Sequence, residues 1–197
     1  MKRLLPLMVP VLLFWLGCTS AADKRYFQLH IPPPSSKPAT PALSGKAYIP
    51  DARVDKVYEG YRLVYRYSPY QLDYYNYEFW IKKPGRMISE SMAAYFGERS
   101  VFSRVTRQNG DEKPDWIIAS EVTALEEFDQ PKELFAHLAM KIRVIDTRSG
   151  NTVMTHSFNR MDRLARRDSR LLPLVLSEIL RGEFDKLTSR LRKGLSE

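Results

Sequence analysis

Residues 134–145, with the sequence LFAHLAMKIRVI, decide the fold because apolar and polar side chains alternate along them. One side of this segment is apolar throughout, with Leu134, Ala136, Leu138, Met140, Ile142 and Val144. The other side carries His137, Lys141 and Arg143. A period of two residues is typical of a β-strand with one buried face and one face open to water or to a partner. Residues 116–125 fit a neighbouring strand, and this strand pair is the clearest in the sequence.

Shorter strands are predicted on both sides of this pair. A hairpin-like turn at residues 146–151 follows it, because Gly150-Asn151 is a strong turn signal. Further segments rich in aromatic and β-branched residues lie at 26–31, 52–57, 62–67, 101–105 and 152–158.

Two helices are predicted. The first begins near Pro84, a residue suited to the first helical position, and has an apolar face made by Ile88, Met92, Tyr95 and Phe96. The second covers residues 169–195 and carries a stripe of leucine, valine and isoleucine. Glycine costs about 1 kcal/mol in a helix interior, so Gly182 predicts a bend or a break there. The stripe is typical of a helix that covers a sheet; a helix lying on a membrane surface is the alternative.

Residues 65–80 contain eight aromatic side chains, a density that also fits a protein interface. Pro69 either interrupts this run or confines it to a sheet edge. Packing within the sheet would explain most of the aromatic residues. The sharper hypothesis is that the remainder, exposed, form part of a partner interface, with Tyr67, Tyr70, Tyr74 and Tyr77 as the candidates.

The N-terminal residues 1–17 have the pattern of a secretory signal, with Lys2 and Arg3 followed by fourteen uncharged residues. A helix of that length rises only about 21 Å, too little to cross a hydrocarbon core of about 30 Å. The sequence Leu16-Gly17-Cys18 then resembles the lipobox of bacterial lipoproteins, in which the cysteine receives a diacylglyceryl group. Cys18, the only cysteine in the chain, is therefore the predicted lipidation site. A buried thiol in an N-terminal helix is the alternative.

These patterns divide the chain into a signal peptide (1–17), a lipidated N-terminus with a short tether (18–25) and one domain (26–197). The domain includes a proline-rich loop at residues 32–42, because five of the ten residues from 32 to 41 are prolines without a backbone N–H. If the strand at 26–31 belongs to the domain, residues 19–25 span at most about 25 Å. The domain would then lie close to its membrane.

The residue after the cysteine predicts which of the two membranes holds the lipoprotein. An aspartate there usually retains lipoproteins in the inner membrane of enteric bacteria, and Thr19 stands in its place. This predicts the periplasmic face of the outer membrane, with the inner membrane as the alternative, since the rule depends on the organism.

The net charge of the chain and the absence of known catalytic motifs limit the classes of function that the sequence supports. Without Lys2 and Arg3 the mature chain keeps 29 basic and 23 acidic residues, a net charge of +6. In an exported protein this charge favours anionic lipid head groups or an acidic protein face as the partner over nucleic acid. The three histidines are scattered, and no nucleophile elbow, phosphate loop or calcium loop is present. Glu126 and Glu127 would face opposite sides of a strand, which is a poor arrangement for a catalytic carboxylate pair. No catalytic residue, cofactor or metal is predicted.

The sequence RLVYRYSPYQL at residues 62–72, followed by Trp80 and Pro84, resembles the ABC-type transport auxiliary lipoproteins. The sequence YFQL at 26–29 and the pair Glu127-Phe128 extend this resemblance. The family includes the lipoprotein of the paraquat-inducible, MCE-type lipid-transport system. The resemblance implies a single α+β domain, an α/β sandwich in which a mixed, largely antiparallel sheet packs against two main helices.

It also implies a non-catalytic component of a system that moves phospholipid between the inner and outer membranes. The expected partners are the membrane through Cys18, an MCE-type periplasmic protein and a second copy of the chain. Two alternatives stay open: a structural lipoprotein of another envelope assembly or secretion complex, and an enzyme whose catalytic triad is assembled from distant residues.

Overall fold

The computed structural model describes residues 23–32, 40–108, 110–131 and 133–194. Within these residues the chain forms nine strands, two α-helices and a 3₁₀ turn at Lys56–Tyr58. The strands are β1 (Arg25–Phe27), β2 (Leu43–Tyr48), β3 (Arg53–Val54), β4 (Arg62–Ser68), β5 (Gln71–Trp80), β6 (Phe102–Thr106), β7 (Trp116–Asp129), β8 (Leu134–Asp146) and β9 (Thr152–Arg163). The helices are α1 (Pro84–Glu98) and α2 (Leu171–Lys193).

The predicted strand pair is confirmed as the centre of the sheet. β7 and β8 pair antiparallel along their length, from Trp116 opposite Asp146 to Asp129 opposite Leu134. All six alternating apolar side chains of β8 are buried, as predicted. β9 extends the sheet beyond β8 through a second long antiparallel ladder.

Three short strands lie one after another along the other edge of β7. Ala47 of β2 pairs with Trp116, Arg53 of β3 with Glu121, and Tyr65 of β4 with Glu127, all in parallel. β5 pairs antiparallel with β4, β1 pairs in parallel with β5, and β6 pairs in parallel with β2. The long ladders are therefore antiparallel and the short ones parallel. This confirms the predicted α+β fold with a mixed sheet and two helices.

The two helices bury their apolar faces against the sheet and each other. The four predicted residues of α1 are all buried, and the rings of Phe96 in α1 and Phe184 in α2 have centroids 5.6 Å apart. α2 runs without a break through Gly182, so the predicted break is wrong. The reason is packing: buried neighbours such as Ile179 and Phe184 hold this part of α2 on the core, which outweighs the low helix propensity of one glycine. Across the described ranges, neither helix is long and apolar enough to cross a membrane.

Two predicted strands are shorter than expected. β1 ends at Phe27 because the chain then turns towards the helices, where the amide of His30 donates to Ser177 Oγ of α2 at 3.0 Å. β3 keeps only two residues because Asp55 caps the 3₁₀ turn, accepting from the Val57 amide at 3.4 Å. The signal peptide, Cys18 and most of the proline-rich loop lie outside the described residues.

Candidate functional site

The tyrosine-rich segment forms the hairpin of β4 and β5. β4 ends at Ser68, Pro69 and Tyr70 make the turn, and β5 begins at Gln71. Pro69 therefore interrupts the aromatic run, one of the two outcomes predicted for it. Because it lies in the turn, its missing N–H removes no hydrogen bond from the sheet.

The four tyrosines predicted at an interface have different environments. Tyr70 is 98% exposed at the tip, and Tyr67 and Tyr77 are about half exposed. Tyr74 packs against the core, and its hydroxyl donates to the Val57 carbonyl at 3.2 Å. Three of the four side chains are thus available to a partner, while Tyr74 has a structural role.

This difference gives a first prediction. Tyr70→Ala should leave the melting temperature unchanged, whereas Tyr74→Ala should lower stability by about 1–3 kcal/mol, because it removes a packed ring and a hydrogen bond. Association with a partner should weaken by about 1–2 kcal/mol or more in Tyr70→Ala. Thermal unfolding and association are measured on the same samples. If Tyr70→Ala weakens association only in proportion to a loss of stability, the interface hypothesis is wrong for this residue.

Behind the hairpin lies an open cavity of about 610 Å³. It exists because β5 separates from β4: the pairing passes from Val64 opposite Tyr74 to Arg62 opposite Phe79, so that residues 75–78 have no partner in β4. The wall opposite β5 is the segment before α2, residues 166–170. Tyr67 and Tyr74 of the predicted interface line the same cavity.

Two buried glutamates belong to the cavity lining. Glu78 is 4% exposed and Glu127 is 5% exposed. Glu127 Oε1 accepts a hydrogen bond from the Tyr75 hydroxyl at 2.9 Å. Glu78 Oε1 accepts one from Arg25 of β1, but its Oε2 is buried without a hydrogen-bond partner. Among the described residues that line the cavity, Glu78 Oε2 is therefore a buried acceptor without a donor.

Glu127 lies in an environment that disfavours its charge. Burial raises its pKa above the ordinary value, the nearby carboxylates of Asp129 and Glu78 raise it further, and the Tyr75 hydroxyl and Arg167 only partly compensate. Burial and the charge of Glu127 also raise the pKa of Tyr75, which remains a protonated donor at neutral pH. Carboxyl groups perturbed in this way and placed in a cleft are typical of functional sites.

Glu127→Gln should therefore stabilise the fold at neutral pH, because glutamine can still accept from Tyr75 without the cost of a buried charge. A raised folded-state pKa means that the native protein binds more protons than the unfolded chain, so stability falls as pH rises between the two values. The gain in stability of the variant should be complete above the folded-state pKa of Glu127. It should disappear as pH falls towards about 4.3, the ordinary pKa of a glutamate in the unfolded chain. Thermal unfolding between pH 4 and 8 measures it. A variant less stable than the wild type at pH 7.5 would contradict this account.

Arginines surround the cavity mouth. Arg166, Arg167 and Arg170 are all more than half exposed. Arg166 and Arg170 share Asp168, with N–O distances of 3.2 and 2.8 Å, and Arg167 makes two 2.8 Å hydrogen bonds to Asp129. The hydrogen bonds from Arg170 hold the pKa of Asp168 far below its ordinary range. The mouth thus carries three arginines against the two carboxylates of Asp129 and Asp168, while the buried Glu78 pairs with Arg25 and the buried Glu127 accepts from Tyr75.

Glu126 lies on the other face of β7, as predicted from strand geometry. It is 1% exposed and is held by Tyr58, Arg66 and His137, whereas Glu127 pairs opposite Ala136 on the core side. The two carboxylates therefore form no pair. In the described ranges, no group of three His, Cys, Asp or Glu residues is placed to hold a metal ion.

Sequence reasoning did not identify the cavity. Glu78 and Glu127 are far apart in the chain, and a sequence pattern does not show that a glutamate is buried. The only local signal was the pair Glu127-Phe128 in the family resemblance.

Known structures share this architecture. The crystal structure of protein XCC0632 from Xanthomonas campestris matches with a TM-score of 0.71 at 16% identity, covering 88% of this chain and 98% of that one. The crystal structure of an uncharacterized protein matches with a TM-score of 0.68 at 12% identity, covering 86% and 99%. At these identities the matches establish an α+β domain of the same fold. The search of curated proteins gives no match.

The family is established by sequence. The model of the ABC-type transport auxiliary lipoprotein component matches residues 27–173, most of the chain, and the protein belongs to this family. The matched region runs from the end of β1 to the first turn of α2, so it contains the hairpin and the cavity lining other than Arg25. The predicted family resemblance is confirmed.

Proposed function

We propose that the protein is a non-catalytic, lipid-anchored component of an MCE-type transport system that moves phospholipid between the inner and outer membranes. The observation that carries this proposal is the family match over residues 27–173. The MCE type is inferred from the family resemblance, of which residues 65–80 are the most specific part. The exposed Tyr67, Tyr70 and Tyr77 supply a surface of the composition that protein interfaces favour.

The short N-terminal connection supports a position next to the membrane. β1 pairs with β5 from Arg25 onwards, so the sheet begins seven residues after Cys18. Seven extended residues span at most about 25 Å. With lipid on Cys18, the domain would lie against the membrane that holds it, and Thr19 favours the outer membrane. Density-gradient separation of the two membranes tests this part; recovery with inner-membrane markers would contradict it.

The partner is tested by isolating the tagged, full-length protein from its own envelope in mild detergent. We expect an MCE-type protein in a fixed ratio to the tagged chain. The control is the same isolation after deletion of the gene for that MCE-type protein. Recovery of the components of another envelope or secretion assembly, without an MCE-type protein, would contradict the proposal and support the structural alternative.

A further inference from the structure

The charged residues that line the cavity differ in their exposure. Glu78 and Glu127 are buried, whereas Arg166 and Arg170, two guanidinium groups that share the single carboxylate of Asp168, are more than half exposed. A ligand that enters with a positive end and carries a negative group behind it matches this arrangement. A purely cationic group, such as a basic side chain of a partner, would match the carboxylates but has no negative group to place against the arginines.

The hydrogen-bond acceptors of Glu78 and Glu127 indicate which kind of cationic group the ligand should carry. Glu78 Oε2 is buried with no partner, and Glu127 accepts from Tyr75 alone among the hydrogen bonds of the described residues. A buried carboxylate oxygen without a donor is costly, and a charge-assisted N–H donor would relieve that cost. A primary ammonium has three such donors. A trimethylammonium has none, although it carries the same charge.

The walls of the cavity also suit a cation. Tyr65 contacts Tyr67 and Tyr75 edge to face, with centroids 5.0 and 4.8 Å apart. Aromatic rings attract ammonium groups, and the attraction is greater where water is excluded. The volume of about 610 Å³ is within the range of small-molecule sites.

We propose that this cavity binds the phosphoethanolamine head group of a membrane phospholipid, with its ammonium at Glu78 and Glu127 and its phosphate at the arginines of the mouth. The inference rests on the proposed function for the presence of phospholipid. It also uses Arg25, which lines the cavity and follows Cys18 by seven residues, a length of chain that spans at most about 25 Å when extended. The acyl chains remain outside, in the membrane or on the partner.

The test uses the full mature protein in nonionic detergent micelles and isothermal titration calorimetry with three soluble probes. Glycerophosphoethanolamine should bind. Glycerophosphocholine, which lacks N–H donors, and glycerol 3-phosphate, which lacks the ammonium, should each bind at least about tenfold more weakly. Glu127→Gln should weaken glycerophosphoethanolamine at least tenfold while remaining folded. Glu121→Gln, the same change at an exposed position of β7, is the matched control and should have no effect.

The source of the head group is tested in lipid nanodiscs. The full mature protein is anchored in the nanodiscs and titrated with glycerophosphoethanolamine. Its affinity for this probe should be lower in phosphatidylethanolamine nanodiscs than in phosphatidylcholine nanodiscs, because phosphatidylethanolamine of the bilayer competes for the cavity. Equal affinity in the two would overturn the assignment to a membrane lipid. Equal binding of all three probes, or binding unaffected by Glu127→Gln, would overturn the site.

Tighter binding of N-acetylarginine amide than of glycerophosphoethanolamine would also overturn the proposal and assign the cavity to a basic side chain of a partner. These outcomes are separable from the proposed function. If an MCE-type protein is recovered with the tagged chain but none of the probes binds, the proposed transport role is supported and the lipid site is rejected.

Discussion

Replacing Cys18 by serine is expected to abolish membrane attachment of the protein. The sulfur of the lipobox cysteine carries the diacylglyceryl group, and a fully modified cysteine carries three acyl chains. One chain gives only marginal, reversible binding, while several give stable anchoring. The expected change is therefore from complete membrane association to soluble or unprocessed protein.

Fractionation and intact mass measure this change together. The wild-type chain should be found in membranes with the mass of residues 18–197 plus lipid. Ser20→Ala, which leaves the cysteine in place, is the control and should behave like the wild type. Mature Cys18→Ser protein that still fractionates with membranes would show that the lipid-anchor hypothesis is wrong.

The second large effect is expected at Glu126, the buried carboxylate on the other face of β7. Its Oε2 accepts from the Tyr58 hydroxyl at 2.6 Å, and its Oε1 accepts from Arg66 Nε at 2.7 Å. His137 Nδ1 lies 3.0 Å from the same Oε1. These contacts join the 3₁₀ turn, β4 and β8 to the centre of the sheet.

Glu126→Ala should destabilise the fold by about 3–5 kcal/mol, because it leaves Arg66 and Tyr58 without their buried acceptor. Denaturant unfolding at pH 7 measures the loss. Glu121→Ala, exposed on the same strand, should change stability by no more than about 0.5 kcal/mol. A loss at Glu126 as small as that of the control would mean that the network contributes little.

The pH dependence separates Glu126 from Glu127. Burial alone would raise the pKa of Glu126, but the hydrogen bonds from His137, Arg66 and Tyr58 outweigh it and hold that pKa below its ordinary value. A lowered folded-state pKa gives stability that is present above the unfolded value of about 4.3 and lost as pH falls through the folded value. The loss of stability of Glu126→Gln relative to the wild type should therefore be smallest at low pH. The gain from Glu127→Gln instead grows as pH rises.

The strand pair was predictable because alternation is a local property of the sequence. The prediction for β7 stopped at residue 125, although the strand continues to Asp129. The cause is the polar pair Glu126 and Glu127, whose burial depends on side chains from β4, β5 and β8. A register shift between Val122 and Ala124 also disturbs the alternation along β7.

The interface prediction shows the same limit. Aromatic density identified the hairpin and Pro69 its turn, but neither distinguishes exposed Tyr70 from packed Tyr74. The cavity depends on the separation of β5 from β4 and on a segment about ninety residues later in the chain. Such long-range pairings are tertiary facts that no window of sequence contains.

The most direct test of the central claim is site-specific photo-crosslinking in living cells. A photoreactive phenylalanine derivative at Tyr70, which is 98% exposed, should give one adduct containing the MCE-type protein. The same group at Val153, half exposed on β9 and separated from β4 by β7 and β8, should give none. Adducts at Tyr70 with components of another assembly, or an MCE adduct from Val153 but not from Tyr70, would contradict the account.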